Sequence, residues 1–168
     1  MAITLVPMTS EEYEKFYQMS RDNQVNDLVA GGKSREDAIA ATEAELAQLL
    51  PDGQDTEENF LMMIKKEDDL TEVGYIWTLH EFTGDTMQSF LCDLVIYEAY
   101  RGQGFAKEAL SQMEKSAYTY GCEESILFVK NDNTKAISLY QDWGYQTLRE
   151  ESDGMYMRKK LTRDLLDV

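Results

Sequence analysis

A loop with two glycines and one arginine joins an apolar segment to a helical pattern near the middle of the chain. The apolar run Leu94-Val95-Ile96 predicts a buried strand. The loop is Arg101-Gly102-Gln103-Gly104-Phe105-Ala106, and the helical face after it contains Ala106, Ala109, Leu110, Met113 and Ala117. Helix starts carry unpaired N–H groups and partial positive charge. Glycines let such groups converge on one anion, and arginine adds forked donors. The loop therefore predicts a diphosphate cradle.

Two common phosphate-binding motifs fail to match this loop. A Walker loop needs G-x-x-x-x-G-K-[ST], and the chain contains no such string. A dinucleotide fingerprint needs G-x-G-x-x-G/A, and Lys107 stands at its third small position. The spacing that remains is R-x-x-G-x-A, from Arg101 to Ala106. Taken alone, it also suits an ordinary glycine turn between a strand and a helix.

This spacing, after a Leu-x-Val-type strand, resembles the coenzyme A loop of the GCN5-related N-acetyltransferases, which reads Q/R-x-x-G-x-G/A. A second block in residues 129–145 resembles the family pattern V-x-x-x-N-x-x-A-x-x-L-Y-x-x-x-G-F/Y. The matching residues are Val129, Asn133, Ala136, Leu139, Tyr140, Gly144 and Tyr145. The resemblance covers Leu91 to about Lys160 well, and residues 1–90 only in outline.

The resemblance implies acetyl-CoA as the co-substrate and a set of residues that bind it. Six residues would hold the diphosphate: Arg101, Gly102, Gln103, Gly104, Phe105 and Ala106. The strand Leu94, Val95 and Ile96 would present its backbone edge, at Leu94 and Ile96, to the amides of pantetheine. Asn133 would hydrogen-bond to pantetheine as well, although asparagine also suits the N-cap of the following helix.

Tyr140 is the candidate general acid, because the family commonly has a tyrosine at this L-Y position. Acetyl transfer expels coenzyme A as a thiolate, and a phenol with a reference pKa near ~10 can protonate or hydrogen-bond that sulfur. The alternative is a packed aromatic on a helix face, alongside Ile137 and Trp143.

The general base is less well defined. The positions where some relatives carry a glutamate hold other residues here: Phe90, Cys92 and Phe128. Asp93 remains a candidate catalytic residue, and a structural hydrogen-bond acceptor is the alternative. His80 and Glu81 are expected to end a strand near the acceptor cleft, but a lone histidine is a weak candidate. A water chain that ends on backbone carbonyls or a carboxylate is equally compatible.

Four aromatic residues are candidate walls of the acceptor pocket: Tyr13, Phe16, Tyr17 and Trp77. They lie in or near the two helices of residues 9–50, the part of this fold that usually sets acceptor choice. Aromatic residues at helical spacing are more often plain core, so the two interpretations stay open.

The amino-acid composition limits the classes of partner that this chain is expected to bind. The chain of 168 residues has 32 acidic and 16 basic residues, a net charge of −16. This balance disfavours nucleic acid and anionic membranes and suits a cationic acceptor, although it also fits any acidic cytoplasmic protein. Two cysteines without C-x-x-C and one histidine predict no metal site. No spanning apolar run or signal segment is seen, which predicts a cytoplasmic protein.

The element pattern predicts an α+β fold with a mixed, mostly antiparallel sheet flanked by helices. Helices are predicted after the caps Thr9, Ser34 and Asn133 and after the cradle. The predicted strands are Ile3–Val6, Phe60–Lys65, Val73–His80, the strand leading to the cradle, Ser125–Val129, Gly144–Leu148 and Met155–Lys160. The resemblance implies that the cradle strand and Ser125–Val129 run parallel and splay apart. We expect one domain over residues 1–168, with an acceptor side in residues 1–60 and a coenzyme A core in residues 88–148.

These features lead to one hypothesis and one alternative. The hypothesis is an N-acetyltransferase that moves acetyl from acetyl-CoA to a primary amine of a small molecule or peptide by direct attack in a ternary complex. The alternative is a coenzyme A-binding sensor without chemistry; the missing glutamates favour it and Tyr140 disfavours it. The acyl group and the acceptor stay open, and the resemblance also allows a homodimer.

Overall fold

The computed structural model describes residues 2–167, and its elements follow the predicted order. The strands are β1 (Ile3–Pro7), β2 (Asn59–Lys66), β3 (Glu72–Thr83), β4 (Thr86–Ile96), β5 (Cys122–Lys130), β6 (Gln146–Glu150) and β7 (Gly154–Lys160). The helices are α1 (Ser10–Ala30), α2 (Arg35–Leu49), α3 (Phe105–Tyr120) and α4 (Thr134–Asp142). The predicted α+β class is confirmed.

The strands form one sheet in the order β1-β2-β3-β4-β5-β7-β6. Neighbouring strands are antiparallel except β4 and β5, which are parallel. The parallel pairing ends at Leu91 and Leu127, although β4 continues to Ile96 and β5 to Lys130. Within residues 2–167, no further pairing joins the two strands, so a gap opens between them as the resemblance implies.

A β-bulge in β4 lies where this gap begins. Trp77 of β3 pairs with Asp93, but the next residue, Thr78, pairs with Leu91. Cys92 is therefore an extra residue in β4 with no partner of its own in β3. Because strand side chains alternate between faces, one inserted residue moves every later side chain to the other face.

The sheet separates two hydrophobic clusters. Alternate residues of β3 enter different clusters, with Tyr75 and Trp77 on one face and Ile76 on the other. The Tyr75 face packs against Phe16 of α1, and the Ile76 face packs against α3 and α4 through residues such as Leu110. The acceptor-side helices and the cradle helix thus cover opposite faces.

Several strand boundaries differ from the sequence-based prediction; β3 continues to Thr83 and β5 begins at Cys122. The strand expected at Gly144–Leu148 begins instead at Gln146, because Gly144 has a φ of +100° and the Tyr145 N–H donates to the Tyr140 carbonyl at 2.9 Å. The end of the chain forms a short 3-10 turn at Arg163–Asp167. The predicted capping box of α1 is present, with reciprocal bonds between Thr9 and Glu12.

Residues 2–167 contain neither a candidate membrane-spanning helix nor a candidate metal-binding group. None of the helices in this range has the length and apolar content needed to cross a bilayer. No group of three or more His, Cys, Asp or Glu side chains in the range is arranged to hold a metal ion.

A buried carboxylate fixes the end of α4 against α3. Glu114 of α3 is 0% exposed and accepts hydrogen bonds from Lys159 Nζ at 2.8 Å, the Tyr145 hydroxyl at 3.0 Å and Trp143 Nε1 at 3.3 Å. Burial raises the pKa of Glu114, and the Lys159 ammonium acts in the opposite direction. Since Tyr145 is bonded to the Tyr140 carbonyl, this network also positions Tyr140.

Replacing this carboxylate should therefore weaken the fold. We expect Glu114→Ala to lower the free energy of unfolding by about 2–4 kcal/mol, because it leaves Lys159, Tyr145 and Trp143 without their acceptor. Urea denaturation measures the change. The control is Glu123→Ala at an exposed site, which should stay within about 0.5 kcal/mol of the parent. Equal losses in the two variants would contradict the network's role.

Candidate active site

The predicted cradle forms at the start of α3 and offers a row of unpaired backbone donors. Gly102 and Gly104 have φ values of +77° and +84°, which side-chain-bearing residues rarely adopt. The first N–H of α3 with a partner is that of Glu108, which donates to the Gly104 carbonyl at 3.2 Å. Within residues 2–167, no hydrogen bond uses the N–H groups of residues 102–107. Converging free N–H groups at a helix start fit a diphosphate.

Three cationic side chains surround this cradle. A cavity of about 570 Å³, which we call the cradle cavity, is lined by Arg101, Lys107 and Lys135 together with Gly102 and Gly104. Arg101 Nε donates to the Ile96 carbonyl at 2.9 Å, which holds the guanidinium at the end of β4 and leaves its other N–H groups for a ligand. Lys135 was missed by the sequence reasoning, because its position depends on how α4 packs beside α3.

The gap edge of β4 carries free backbone groups at the predicted residues. The Tyr97 N–H donates to the Val73 carbonyl, so this backbone position faces β3. Since direction alternates along a strand, Val95 also faces β3, and Leu94 and Ile96 face the gap. The Ile96 carbonyl is the acceptor for Arg101, and the Leu94 N–H donates to the Asp93 carboxylate. The Ile96 N–H and the Leu94 carbonyl are left to pair with an extended amide ligand.

A second cavity of about 730 Å³, the gap cavity, fills the space between the splayed strands. Phe90 and Leu94 of β4, Phe128 of β5, and Asn133 and Tyr140 contribute to its walls. The Asn133 side chain accepts from the Ala136 N–H at 3.2 Å, so its N-cap role is observed directly. Leu94 and Ala136 also line the cradle cavity, which makes the two spaces neighbours.

Tyr140 presents its side chain to the gap cavity. The residue is 9% exposed, and its ring packs on Tyr145 with centroids 5.7 Å apart. No hydrogen bond to its hydroxyl is found within residues 2–167. Burial, and then the nearby charge of Asp93, raise the pKa of Tyr140 to about 12. The hydroxyl is therefore protonated at neutral pH and free to donate to a ligand.

Asp93 lies where the gap cavity meets a third cavity. The bulge at Cys92 turns Asp93 to the α1 face, where the Tyr75 hydroxyl donates to Asp93 Oδ2 at 3.1 Å. Burial raises the pKa of Asp93, while the bonds from Tyr75 and from the Leu94 backbone act to lower it. Tyr75 was missed by the sequence reasoning, because its register against Asp93 depends on the bulge.

The third cavity, of about 490 Å³, lies between α1, α2 and the sheet. We call it the acidic cavity, since its charged lining residues are Asp27 of α1, Glu45 of α2 and Asp93. It shares these three residues with the gap cavity. Trp77 forms part of its wall, whereas Tyr13 and Phe16 are core residues of the adjacent cluster.

The placement of His80 corrects the sequence-based expectation. β3 continues to Thr83, and strand alternation directs His80 to the α3 face, away from the acidic cavity. Its ring is 5% exposed and lies between Phe60 and Tyr120, with centroid distances of 4.4 Å and 4.6 Å. Burial lowers the pKa of His80. The expectation that His80 lies near the acceptor cleft is wrong. Glu81 alternates to the other face of β3, and its charge contributes to the raised pKa of Cys92, so the expectation for Glu81 stays a prediction.

Three contiguous spaces therefore run across the molecule. The cradle cavity supplies cations and N–H groups, the gap cavity supplies a free strand edge, and the acidic cavity supplies carboxylates. Asp93 and Tyr140 both line the middle space. The arrangement fits a long anionic donor that enters at one end and a cationic acceptor that enters at the other.

Sequence comparisons agree with this geometry. Residues 13–145 match the sequence model of the Acetyltransferase (GNAT) family. The uncharacterized N-acetyltransferase YycN of Bacillus subtilis is 33% identical over 163 residues, which cover 96% of this chain and 100% of that protein. The uncharacterized N-acetyltransferase YdgE of the same organism is 31% identical over 146 residues, which cover 86% of this chain and 92% of that protein.

Solved structures of acetyltransferases have a fold similar to that of this chain. The crystal structure of Bacillus subtilis YycN matches with a TM-score of 0.80 at 30% identity, and the match covers 90% of this chain and 96% of that one. The PaiA N-acetyltransferase of Thermoplasma acidophilum, solved in complex with coenzyme A, matches with a TM-score of 0.68 at 20% identity. That match covers 95% of this chain and 99% of the other, and it supports the fold alone.

A side chain at Gly104 should interfere with coenzyme A binding. A Cβ at this position would meet no protein atom within 4 Å, so it would point into open space at the cradle. We expect Gly104→Val to weaken coenzyme A binding by at least about a hundredfold, because the required φ is strained and the N–H groups move apart. Isothermal titration calorimetry with coenzyme A measures the affinity.

Gly84→Val provides a control with the same kind of backbone strain. Gly84 lies in the β3–β4 turn with a φ of +66°, and its Cβ would also meet nothing within 4 Å. This variant should lose stability but keep its affinity for coenzyme A. A similar loss of affinity in both variants would mean that general destabilisation, and not the cradle, explains the effect.

Proposed function

This chain belongs to the GNAT family of acetyl-CoA-dependent N-acetyltransferases, and we propose that it transfers acetyl directly to a primary amine of a small molecule or peptide. The observation that carries the proposal is the meeting of the gap and acidic cavities at Asp93, with Tyr140 on the same wall. An amine from one side and a thioester from the other would be held within reach of each other.

Tyr140 is proposed to stabilise the departing sulfur by donating a hydrogen bond. Its pKa of about 12 lies well above the reference value of ~8.5 for a thiol, so complete proton transfer to the thiolate is unfavourable. A hydrogen bond to an ionised group contributes about 1.5–3 kcal/mol. We therefore assign Tyr140 the role of a hydrogen-bond donor, with the final proton on sulfur coming from the amine.

Asp93 is proposed to orient the amine and to receive its proton. A primary amine has a reference pKa of about 10.4, so it arrives as an ammonium ion that a carboxylate attracts. The ammonium first loses one proton through Asp93 to solvent, which frees the lone pair that attacks the thioester carbon. As the N–C bond forms and the C–S bond breaks, the nitrogen becomes far more acidic, and its second proton passes through Asp93 to the departing sulfur. The bond from Tyr75 holds the carboxylate in place during this exchange.

The state of Cys92 supports direct transfer over an acetyl-enzyme intermediate. Cys92 lines the gap and acidic cavities, where a nucleophilic thiolate would serve a two-step route. Burial, with a smaller effect from the charge of Asp93, raises the pKa of its thiol to about 12. The thiol is thus protonated near neutral pH and is a poor nucleophile.

The acidic cavity also argues against the coenzyme A-binding sensor. A sensor would have no use for an open cavity beside the thioester position, and here that cavity reaches Asp93. We retain the proposal that residues 1–60 form the acceptor side, and its support is that α1 and α2 contribute residues to the lining of the acidic cavity. Cys92 and Cys122 are both free thiols, which is compatible with the cytoplasmic location that we propose.

Removing the Tyr140 hydroxyl should slow the reaction without affecting coenzyme binding. We expect Tyr140→Phe to lower kcat by about 10- to 100-fold, the equivalent of one hydrogen bond to a charged group. Thiol release across a panel of amines measures turnover, and calorimetry measures acetyl-CoA affinity. Unchanged turnover would remove Tyr140 from the mechanism. Acetylated Cys92 in the mass spectrum of the acetyl-CoA-treated protein would contradict direct transfer.

Loss of the Tyr75 hydroxyl should move the pH profile. The Tyr75 bond lowers the pKa of Asp93, so Tyr75→Phe raises that pKa and keeps Asp93 protonated to higher pH. We expect the acid limb of the kcat/KM profile to shift to higher pH. Tyr97→Phe removes a phenol near the same cluster that has no bond to Asp93, and it should leave this limb in place. A matching shift in both variants would contradict the assignment of the limb to Asp93.

A further inference from the structure

We propose that Asp27 and Glu45 form a subsite for a second ammonium group, so that the preferred acceptor is a diamine or a longer polyamine. The inference rests on the proposed function, because it assigns the far end of the same acceptor. The reacting amine would lie beside Asp93, and the second cationic group would lie at the α1–α2 end of the acidic cavity.

The charge of the acidic cavity is the first observation. Its three charged lining residues are all carboxylates, Asp27, Glu45 and Asp93, and the part of the chain that the structure describes adds no lysine or arginine to this lining. Other polar groups come from Ser20, Asn23 and Gln24. Cavity walls that carry charges of one sign concentrate ligands that carry charges of the opposite sign. One ammonium group would leave at least one of these carboxylates without a cationic partner.

A buried hydroxyl without a partner is the second observation. Thr42 of α2 is 0% exposed and lines the acidic cavity close to Glu45. Its Oγ1 has no hydrogen-bond partner among the described residues. Leaving a buried polar group unpaired costs free energy, and an N–H of a bound ligand would satisfy it. An alkylammonium has three such donors, enough for Thr42 and for the carboxylates.

The third observation is that a primary ammonium already contacts Asp27. Lys130 Nζ, from the end of β5, lies 3.3 Å from Asp27 Oδ2. Their side chains are 50% and 57% exposed, so this pair is weak and easily displaced. Lys130 lines the gap cavity and not the acidic cavity. The ammonium of the acceptor would replace Lys130 as the cationic partner of Asp27.

The space between the two charged ends suits an apolar linker. Trp77 and Leu46 are both buried and line the acidic cavity together with the carboxylates. Methylene groups of an alkyl diamine would pack against these side chains, and its ammonium ends would remain with the carboxylates. A monoamine of the same length would keep the apolar contact and lose the contact with Asp27 and Glu45.

Putrescine and n-butylamine form a matched pair of probes, since they differ by a single terminal amine. We expect the protein to acetylate putrescine with a lower KM. Asp27→Asn and Glu45→Gln should each raise the putrescine KM by about three- to tenfold, with kcat and the butylamine KM within about twofold of the parent. Added salt should raise the putrescine KM more than that of butylamine.

Two further variants separate the subsite from general effects. Glu43→Gln is a control in α2, two residues before Glu45. The Glu43 carboxylate accepts a hydrogen bond from Arg21 and does not line the acidic cavity, so the KM values for putrescine and butylamine should stay unchanged. Lys130→Gln removes the competing ammonium, so the putrescine KM should fall below that of the parent. A role in folding alone would not produce this opposite sign.

Binding of each probe to the coenzyme A-loaded protein, measured by calorimetry, tests the subsite without turnover. Tighter binding of putrescine than of butylamine, with this preference lost in Asp27→Asn, supports the inference. If that preference is seen but no amine in the panel is acetylated, the proposed function alone is overturned. Equal binding of the two probes, or equal effects of Asp27→Asn on both, would overturn the second-ammonium subsite while acetyl transfer to other amines stands.

Discussion

The extra residue in β4 is the constraint on which the site depends. Without Cys92 as a bulge, Asp93 would point to the α3 face and Leu94 to the α1 face. The bulge reverses this, so Asp93 meets Tyr75 and the acidic cavity, and Leu94 packs against the main core. The pairing between β4 and β5 also ends one residue before the bulge, at Leu91, and the gap opens there. A single backbone irregularity thus accompanies both the gap and the carboxylate that faces it.

Charge is divided along the path that the three cavities form. The cradle end combines unpaired N–H groups with Arg101, Lys107 and Lys135, whereas the far end carries Asp27 and Glu45. The protein therefore has a local cationic site although its net charge is −16. An anionic donor and the cationic acceptor that we propose would each be attracted to a different end, and this would reduce competition for the same space in the proposed ternary complex.

Structural rigidity around Tyr140 comes from a separate part of the molecule. The Glu114 network and the bond from Tyr145 to the Tyr140 carbonyl hold the end of α4, while the Tyr140 hydroxyl itself is left without a protein partner. A reactive group is most useful when its backbone and ring are fixed and its polar atom is free for the ligand. The same separation is seen at Arg101, where Nε is tied to Ile96 and the other donors are not.

The sequence by itself determined the family, the order of the elements and the cradle, because these depend on local features. Glycine spacing, caps and apolar periodicity are properties of neighbouring residues, and they predicted the loop at Arg101–Ala106, the cap at Asn133 and the capping box of α1.

Only the tertiary structure decided which side chains meet. Tyr75 and Asp93 are 18 residues apart, and their contact depends on register and on the bulge. The expectation for His80 failed for the same reason, since strand length and alternation set its face. Asp27, Thr42 and Glu45 share a cavity with Asp93 only because α1 and α2 pack on that face of the sheet, a long-range arrangement that no local pattern specifies.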